Sequence, residues 1–243
     1  ALAAGRRLDD AQPWVDGLLA GCGGRFDVRL HAVLPPVAAA GTTISLRVLR
    51  PSDQTLDALA AAGSIAEPAV DLLREVVAAR QAFLVCGGTG AGKTTLLAAL
   101  LAEVPAAERI IVVEDAAELA PAHPHLVKLV ARGANVEGAG QITVRQLVRQ
   151  ALRMRPDRIV VGEVRGPEVL EMLHAMETGH DGSFSTCHAN NPRDALRRLE
   201  AMVLAADLAM PVSVIRSHLV ACIDLVVHLE RTADGARRVR EIA

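Results

Sequence analysis

The chain carries, over residues 83–97, a run of residue types whose spacing suits the binding of phosphate groups. Gly87, Gly92, Lys93 and Thr94 fit the pattern G-x-x-x-x-G-K-[ST]. Glycines let the main chain wrap around phosphate oxygens, and the start of the following helix adds partial positive charge there. In this pattern the lysine reaches the outer phosphates, and the threonine hydroxyl can ligate Mg²⁺. The pattern therefore predicts a binding site for a nucleoside triphosphate.

The elements predicted around this pattern support the same interpretation. A short apolar strand at residues 83–86 precedes it, and an apolar helix at 93–103 follows it. An ordinary glycine-rich turn is the alternative, which this strand–loop–helix context disfavours. We call residues 87–95 the phosphate loop. The nucleotide-binding residues predicted in it are Gly87, Gly88, Thr89, Gly90, Ala91, Gly92, Lys93, Thr94 and Thr95.

Two glutamates stand at the ends of apolar strands predicted downstream of the phosphate loop. Glu114 follows residues 110–113, and Glu163 follows residues 159–161 and a glycine. Ligands of open α/β sheets bind at the carboxyl ends of strands, so these acids can meet the phosphates there. We predict that Glu163 polarises or deprotonates the attacking water and that Glu114 lies near the metal or the water. For either acid alone, a solvated strand end is the alternative.

Histidines flank a further predicted strand at residues 183–186. His180 and His188 are candidates to touch the γ-phosphate end of the site. A nucleophilic dyad of Cys187 and His188 is disfavoured, because neighbouring residues on a strand point to opposite faces. A metal cluster formed by these two histidines and His174 lacks an established ligand spacing.

Three arginines recur every four residues and share one face of a predicted helix at residues 144–153. They are Arg145, Arg149 and Arg153. A solvated face, a DNA-contact stripe and a subunit interface that offers an arginine to a neighbour's phosphate are all open. The near-neutral charge balance favours the first and the third.

Composition narrows the class of protein. Only 2% of the 243 residues are aromatic although 51% are hydrophobic, so the core is aliphatic and the base-stacking platforms of single-stranded nucleic-acid binders are missing. A formal net charge of −2 and a pI of about 6.5 give no basic field for DNA or anionic membrane. We therefore expect no direct nucleic-acid partner.

The same sequence argues against export and membrane insertion. Its longest uncharged run, residues 30–46, contains two prolines and a glycine, so no transmembrane segment is expected. No signal peptide is found, and the four cysteines form no C-x-x-C pair, which favours reduced thiols in the cytoplasm. Because the chain begins at Ala1, we expect a fragment of something longer.

The order of predicted elements indicates an α/β protein with two domains. Antiparallel strands at residues 25–34 and 42–49 predict a small domain over 1–50, and 51–66 are predicted to be a linker with a short helical stretch. Residues 67–243 alternate helices and strands, which predicts a mainly parallel sheet with flanking helices. Further strands are predicted at 109–113, 126–130, 159–162 and 224–230 with a hairpin partner after Gly235, and further helices at 68–80, 168–177, 193–206 and 212–221.

Several ordered motifs resemble the CpaF/TadA branch of the type II/type IV secretion ATPases. The matching stretches are residues 87–95, 114–119, 151–166, 178–183, 188–190 and 192–200, and residues 25–49 are similar to the end of the family's N-terminal domain. The resemblance implies a RecA-like P-loop ATPase core behind a small α/β, PAS-like N-terminal domain that is truncated here. It also implies ATP and Mg²⁺ as cofactors and a homo-hexameric ring. Such a ring is expected at the cytoplasmic face of the membrane, on the membrane platform proteins of a pilus or secretion machine.

Carried over by position, the resemblance assigns roles to individual residues. The phosphate loop is the Walker A motif, Glu163 the Walker B glutamate, and His188 part of the "His box". Glu114 and Glu118 lie in the acidic "Asp box". The resemblance thus names Glu163, Glu114, His188 and Lys93 as catalytic, Thr94 as a Mg²⁺ ligand with Glu163 and Glu118 acting through water, and Arg47, Arg165 and Arg153 as phosphate or interface arginines.

The functional prediction is an ATP-hydrolysing motor of a type IV/Flp (Tad) pilus or of a type II/IV-like secretion system. It would couple ATP turnover to domain motion in a ring. Two alternatives are a nucleotide-gated scaffold with little hydrolysis and a RecA-like nucleic-acid translocase that uses the arginine face.

Overall fold

The computed structural model describes residues 7–22, 26–49, 54–135, 137–206 and 210–243. The chain divides into two compact units. The N-terminal unit comprises Ala1–Pro51 with Arg132–Ile142, and the core unit comprises Ser52–Ala131 with Thr143–Ala243. Residues 54–66, the described part of the predicted linker, are grouped with the core unit.

The N-terminal unit contains an antiparallel sheet in the order β1-β2-β3. Its strands are β1 (Trp14–Cys22), β2 (Phe26–Val33) and β3 (Thr43–Leu49). The two strands predicted here, at 25–34 and 42–49, are confirmed as an antiparallel pair in which Leu30 stands opposite Leu46. The sequence reading missed β1, because Gly17 and Gly21 weaken its alternation.

The core unit is built on a seven-stranded sheet in the order β10-β9-β4-β8-β7-β5-β6. Every neighbouring pair is parallel except β9 and β10, which form an antiparallel hairpin. The prediction of an α/β fold with a mainly parallel sheet is confirmed. The strands are β4 (Phe83–Gly87), β5 (Ile110–Glu114), β6 (Leu126–Val130), β7 (Arg158–Val161), β8 (Phe184–Cys187), β9 (Leu225–Arg231) and β10 (Arg237–Ile242).

Helices cover both faces of this sheet. They are α1 (Leu56–Ala61), α2 (Glu67–Ala78), α3 (Lys93–Ala102), α4 (Val144–Ala151), α5 (Val169–Glu177), α6 (Pro192–Ala205) and α7 (Val212–Cys222). Side chains alternate along each strand, so β4 buries Phe83 and Val85 against α1–α3 and buries Leu84 and Cys86 against α4–α7. Central strands that are apolar on both faces are thus explained by two helical layers.

Helix starts follow local sequence signals. Thr143 caps α4 by accepting a hydrogen bond from the main-chain N–H of Gln146, whose side chain accepts one from the N–H of Thr143 in return. Asn191 caps α6 in front of Pro192, which has no N–H to satisfy. These caps fix where α4 and α6 begin beside the sheet.

An ion pair between a buried arginine and a partly buried glutamate lies at the amino end of β7. Arg158 is fully buried, and its Nε donates to Oε2 of Glu108 at 2.6 Å. One terminal nitrogen, Nη2, donates to the carbonyl of Val77 at 2.8 Å. Burial acts to raise the pKa of Glu108, but hydrogen bonds and charge from Arg158 and from Arg80, which lies 3.0 Å from Oε1 of Glu108, outweigh it and lower that pKa. This pair ties α2 to the strands at the edge opposite the phosphate loop.

Among the residues that the structure describes, no helix is both long and apolar enough to cross a membrane.

Candidate functional site

The carboxyl ends of four neighbouring strands meet at one edge of the core sheet. In the order β4, β8, β7 and β5, these strands lead into the phosphate loop, His188, Glu163 and Glu114. The sequence places these groups up to about a hundred residues apart, and the parallel pairing brings them to the same edge. This edge is where ligands of open α/β sheets bind.

The shape of the phosphate loop depends on its glycines. A Cβ at Gly87 would lie 2.5 Å from the carbonyl oxygen of Leu229, so a larger residue would push β4 away from β9. Gly90 and Gly92 have φ angles of 72° and 98°, which residues other than glycine rarely adopt. No side chain caps the start of α3, so its first N–H groups and partial positive charge face the loop.

Lys93 is the buried cation of the loop. Its Nζ donates to the carbonyl oxygens of Gly87 at 2.9 Å and Gly88 at 3.0 Å, and lies 3.3 Å from Nδ1 of His188. Burial lowers the pKa of Lys93, while the negative charge of Glu163 acts in the opposite direction. The ammonium is therefore held inside the loop, next to the strand-end histidine.

His188 connects this cation to a glutamate. Its Nε2 lies 2.7 Å from Oε1 of Glu163, an ion-pair distance without hydrogen-bond alignment, since that oxygen has no aligned donor among the described residues. Burial and the charge of Lys93 lower the pKa of His188, and Glu163 opposes them. The same three groups, predicted separately from the sequence, form one continuous set.

Arg165 extends this set on the other side of Glu163. It forms an ion pair with Glu163 and lies 3.7 Å from a carboxylate oxygen of Asp115. The hydrogen bond with Glu163 raises the pKa of Arg165. The Glu163 carboxylate thus lies between the side chains of His188 and Arg165 and contacts both.

Glu114 is almost entirely buried, with 4% of its surface exposed. Its Oε1 accepts hydrogen bonds from the main-chain N–H groups of Glu118 at 3.2 Å and Leu119 at 3.0 Å. Burial raises its pKa to about 7, although these N–H groups act to lower it. A Cβ on Gly162 would lie 2.8 Å from Cγ of Glu114, so the glycine before Glu163 leaves room for this carboxyl.

The oxygen donors of the site are of the kind that Mg²⁺ prefers. Thr94 is the second residue of α3 and is half-buried. Oε2 of Glu114 is buried and has no hydrogen-bond partner among the described residues. Nowhere in the described part of the chain do three His, Cys, Asp or Glu side chains group around a possible metal. The Thr94 hydroxyl and the unpartnered Oε2 of Glu114 are oxygen groups of the type that fit a Mg²⁺ ion.

Other predicted arginines lie elsewhere. Arg47 is on β3 in the N-terminal unit, where it is exposed and opposite Arg29. Arg153 follows α4, and its Nη1 donates to the carbonyl oxygen of Arg149 at 2.9 Å. Their roles at phosphate stay predictions.

The arginine face of α4 is engaged with α5. Arg145 and Arg149 both donate to Oε1 of Glu171, at 2.8 Å and 2.7 Å, and Glu171 is 8% exposed. Two members of the predicted stripe thus neutralise a buried carboxylate. The third, Arg153, is exposed.

The sequence did not identify the β9–β10 hairpin, which lies beside the phosphate loop, as part of the site. Arg237 donates from Nε to the carbonyl oxygen of Gly90 at 2.8 Å. Next to it lies a cavity of about 320 Å³, lined among others by Ser64, Gly92, Thr95 and Arg237. A hairpin was predicted after Gly235, but no local pattern shows that β9 pairs with β4.

A mainly parallel α/β sheet with a glycine-rich loop between strand β4 and the uncapped start of helix α3 defines a P-loop protein. The sequence profile described as "Type II/IV secretion system protein" matches residues 17–240. The chain therefore belongs to the type II/IV secretion system protein family.

Similar proteins are known from several bacteria. A Mycobacterium tuberculosis (strain H37Rv) protein, named as a candidate conjugal transfer protein, is 65% identical over all of this chain and 69% of its own length. The conjugal transfer protein TrbB of Rhizobium radiobacter is 34% identical over 96% of this chain and 68% of its own.

Solved structures agree with this fold. The VirB11 ATPase of the Brucella suis type IV secretion system, solved with sulphate, is 28% identical with a TM-score of 0.65. That match covers 98% of this chain and 78% of the solved one. The pilus retraction motor PilT, solved with ADP, has a TM-score of 0.68 at 24% identity over 96% of this chain and 63% of its own, and so supports the fold alone.

Proposed function

We propose that this chain is the ATP-hydrolysing core of a motor in the type II/IV secretion family, of the CpaF/TadA branch. The observation that carries this proposal is the linked set of Lys93, His188 and Glu163 at the mouth of the phosphate loop. A loop that only held a nucleotide would need no carboxylate and histidine in this arrangement. The similar VirB11 protein of Brucella suis is an ATPase, which supports the same activity.

Binding of ATP would use the loop and the start of α3. Main-chain N–H groups and the helix terminus would face the phosphates, and Lys93 would exchange its loop carbonyls for phosphate oxygens. Mg²⁺, when bound, would neutralise phosphate charge, held by Thr94 directly and by Glu163 and Glu118 through water. The cavity beside Gly92 and Thr95 is large enough for the nucleoside part of the ligand.

Hydrolysis would depend on Glu163 as the group that orients the attacking water and takes its proton. Arg165 and His188 hold this carboxylate from two sides, so it is positioned before the nucleotide arrives. Glu114 would act beside the metal or the water, with a pKa of about 7 that allows it to hold or release a proton near neutral pH.

Coupling to motion would begin at His188 and Arg165. Both contact Glu163, and His188 also lies beside Lys93, so loss of the γ-phosphate changes the charge that they face. In a homo-hexameric ring, Arg47 and Arg153 are the candidates to contact phosphate from other surfaces. The similarity to conjugal transfer and type IV secretion proteins supports a secretion machine as the setting. We propose a motor on the membrane platform of such a machine or of a Tad pilus.

The proposal is tested by steady-state phosphate release from ATP. Lys93→Ala and Glu163→Gln should each reduce turnover by about a hundredfold or more, because the first removes a phosphate ligand and the second the proton acceptor. Arg197→Ala removes an arginine of α6 whose side chain is 65% exposed, and it should leave turnover unchanged. Equal turnover in all four proteins would overturn the assignment, and an inactive wild type that binds ATP would favour the scaffold alternative.

A nucleic-acid translocase receives no support from the structure. Its evidence in the sequence was the arginine face of α4, and two of those arginines are paired with Glu171.

A further inference from the structure

The C-terminal hairpin contacts the phosphate loop through one arginine. Nε of Arg237 donates to the carbonyl oxygen of Gly90 at 2.8 Å, across nearly 150 residues of sequence. The Arg237 stem also approaches the loop closely, since a Cβ on Gly92 would lie 3.3 Å from its Cδ. The contact therefore involves both the charge and the aliphatic part of the side chain.

The half of the loop that Arg237 reaches is the half with the least intrinsic constraint. Gly90 and Gly92 both have positive φ, and glycine has more conformational freedom to lose than any other residue. Lys93 holds the first half, through the carbonyls of Gly87 and Gly88. Among the described residues, Arg237 is the side chain that bonds to the Gly90 carbonyl.

The hairpin is itself well anchored. Its turn is closed by main-chain bonds between Thr232 and Ala236 and from Gly235 to Thr232, each 2.9 Å long. Farther along β10, the N–H of Val239 donates to the carbonyl of Ser64 at 2.8 Å, in the segment between α1 and α2. An arginine on such a hairpin can fix a flexible loop because its own main chain is fixed.

We infer that Arg237 is a positioning residue that holds the second half of the phosphate loop in its phosphate-binding conformation. This inference rests on the proposed function. Its bond orients the peptide between Gly90 and Ala91, so the loop is prepared before the nucleotide binds. When a binding-competent state is only partly populated, the apparent affinity falls by that fraction. Loss of Arg237 should therefore weaken binding of phosphate groups rather than slow the chemical step.

The test compares Arg237→Ala with Arg238→Ala, its neighbour on β10, which points to the opposite face of the strand and is exposed. Arg237→Ala should raise KM for ATP by about five- to tenfold with little change in kcat, as expected for loss of one charged hydrogen bond at an exposed site. Arg238→Ala should keep both constants. Arg237→Lys should recover part of the loss, because an ammonium can also donate to the carbonyl.

A second ligand separates positioning of the loop from contact with the nucleoside. Arg237 also lines the cavity beside Gly92, so it could instead touch the base or ribose. Binding of ATP and of inorganic tripolyphosphate is measured by calorimetry, with melting temperatures to verify folding. A similar loss for both ligands in Arg237→Ala supports the inference, whereas a loss for ATP alone overturns it.

Two further outcomes keep the inference distinct from the proposed function. Normal binding by both wild type and Arg237→Ala overturns the inference alone. A wild type that binds neither ATP nor tripolyphosphate overturns the proposed function and the inference with it.

Discussion

Replacing Glu114 with glutamine should stabilise the protein at alkaline pH and not at acidic pH. The carboxyl is 4% exposed, and burial raises its pKa from 4.5 to about 7. Below pH 4.5 the group is protonated in both folded and unfolded chains. Between 4.5 and 7 the unfolded chain releases the proton first, so the folded state loses stability as pH rises. Above pH 7 this shift in the pKa of Glu114 lowers the free energy of unfolding of the wild type by about 3 kcal/mol.

Glutamine keeps the shape of the side chain and an oxygen for the N–H groups of Glu118 and Leu119. At low pH the variant should match the wild type, since a carboxylic acid and an amide are both neutral. At pH 8.5 it should be more stable by about 3 kcal/mol, or roughly 6–12 °C in melting temperature for a chain of this size.

The assay is urea unfolding from pH 4.5 to 8.5, without nucleotide and with a chelator. Asp115→Asn provides the control, because Asp115 is the adjacent acid and is half exposed. A gain that is the same at every pH would refute the reasoning, because a packing effect does not titrate. A variant that follows the wild-type curve would refute it as well.

The remaining predictions concern a close contact, a buried pair and the arginine face. Gly87→Ala should lower the free energy of unfolding in urea by about 2 kcal/mol or more and abolish ATP binding, because its Cβ would lie 2.5 Å from the Leu229 carbonyl oxygen. Gly88→Ala is the control: its Cβ would meet nothing within 4 Å, so it should stay folded in the same urea titration. Glu108→Ala should lower the free energy of unfolding in urea by about 3 kcal/mol, because the fully buried Arg158 loses its partner. Arg80 pairs with the same glutamate but its side chain is 41% exposed, so Arg80→Ala should cost less than about 1 kcal/mol. Removing Arg145 and Arg149 together should destabilise the chain by about 2 kcal/mol, because Glu171 stays buried without its partners. DNA should not stimulate ATP turnover in the wild type or in this double variant. Salt-sensitive stimulation of the wild type by DNA would contradict this.

Local signals in the sequence were sufficient for the phosphate loop and its neighbours. The apolar run before Gly87, the glycines and the lysine specify strand, loop and helix start within a few residues of each other. Most predicted elements accordingly end within one or two residues of the observed ones, as for the helix predicted at 144–153 and observed as Val144–Ala151. Strand β7 begins at Arg158, one residue before the prediction, because a buried ion pair makes a charged residue acceptable there.

The assembly of the site could not be predicted from local patterns. His188 lies beside Lys93 and Glu163 because β8 inserts between β4 and β7, and strand order depends on packing over the whole sheet. The same holds for Arg237, whose hairpin reaches the loop because β9 pairs with β4. The raised pKa of Glu114 likewise follows from burial by residues distant in sequence.

Hydrolysis of ATP held in the phosphate loop should depend on Glu163. In the most direct measurement, the protein is mixed with a limiting amount of ATP and with Mg²⁺. Samples are quenched at successive times, and ATP and ADP are separated and quantified. Wild type should convert its bound ATP to ADP, whereas Glu163→Gln should bind ATP and retain it uncleaved at least about a hundredfold longer. Conversion at the wild-type rate in Glu163→Gln would contradict the account.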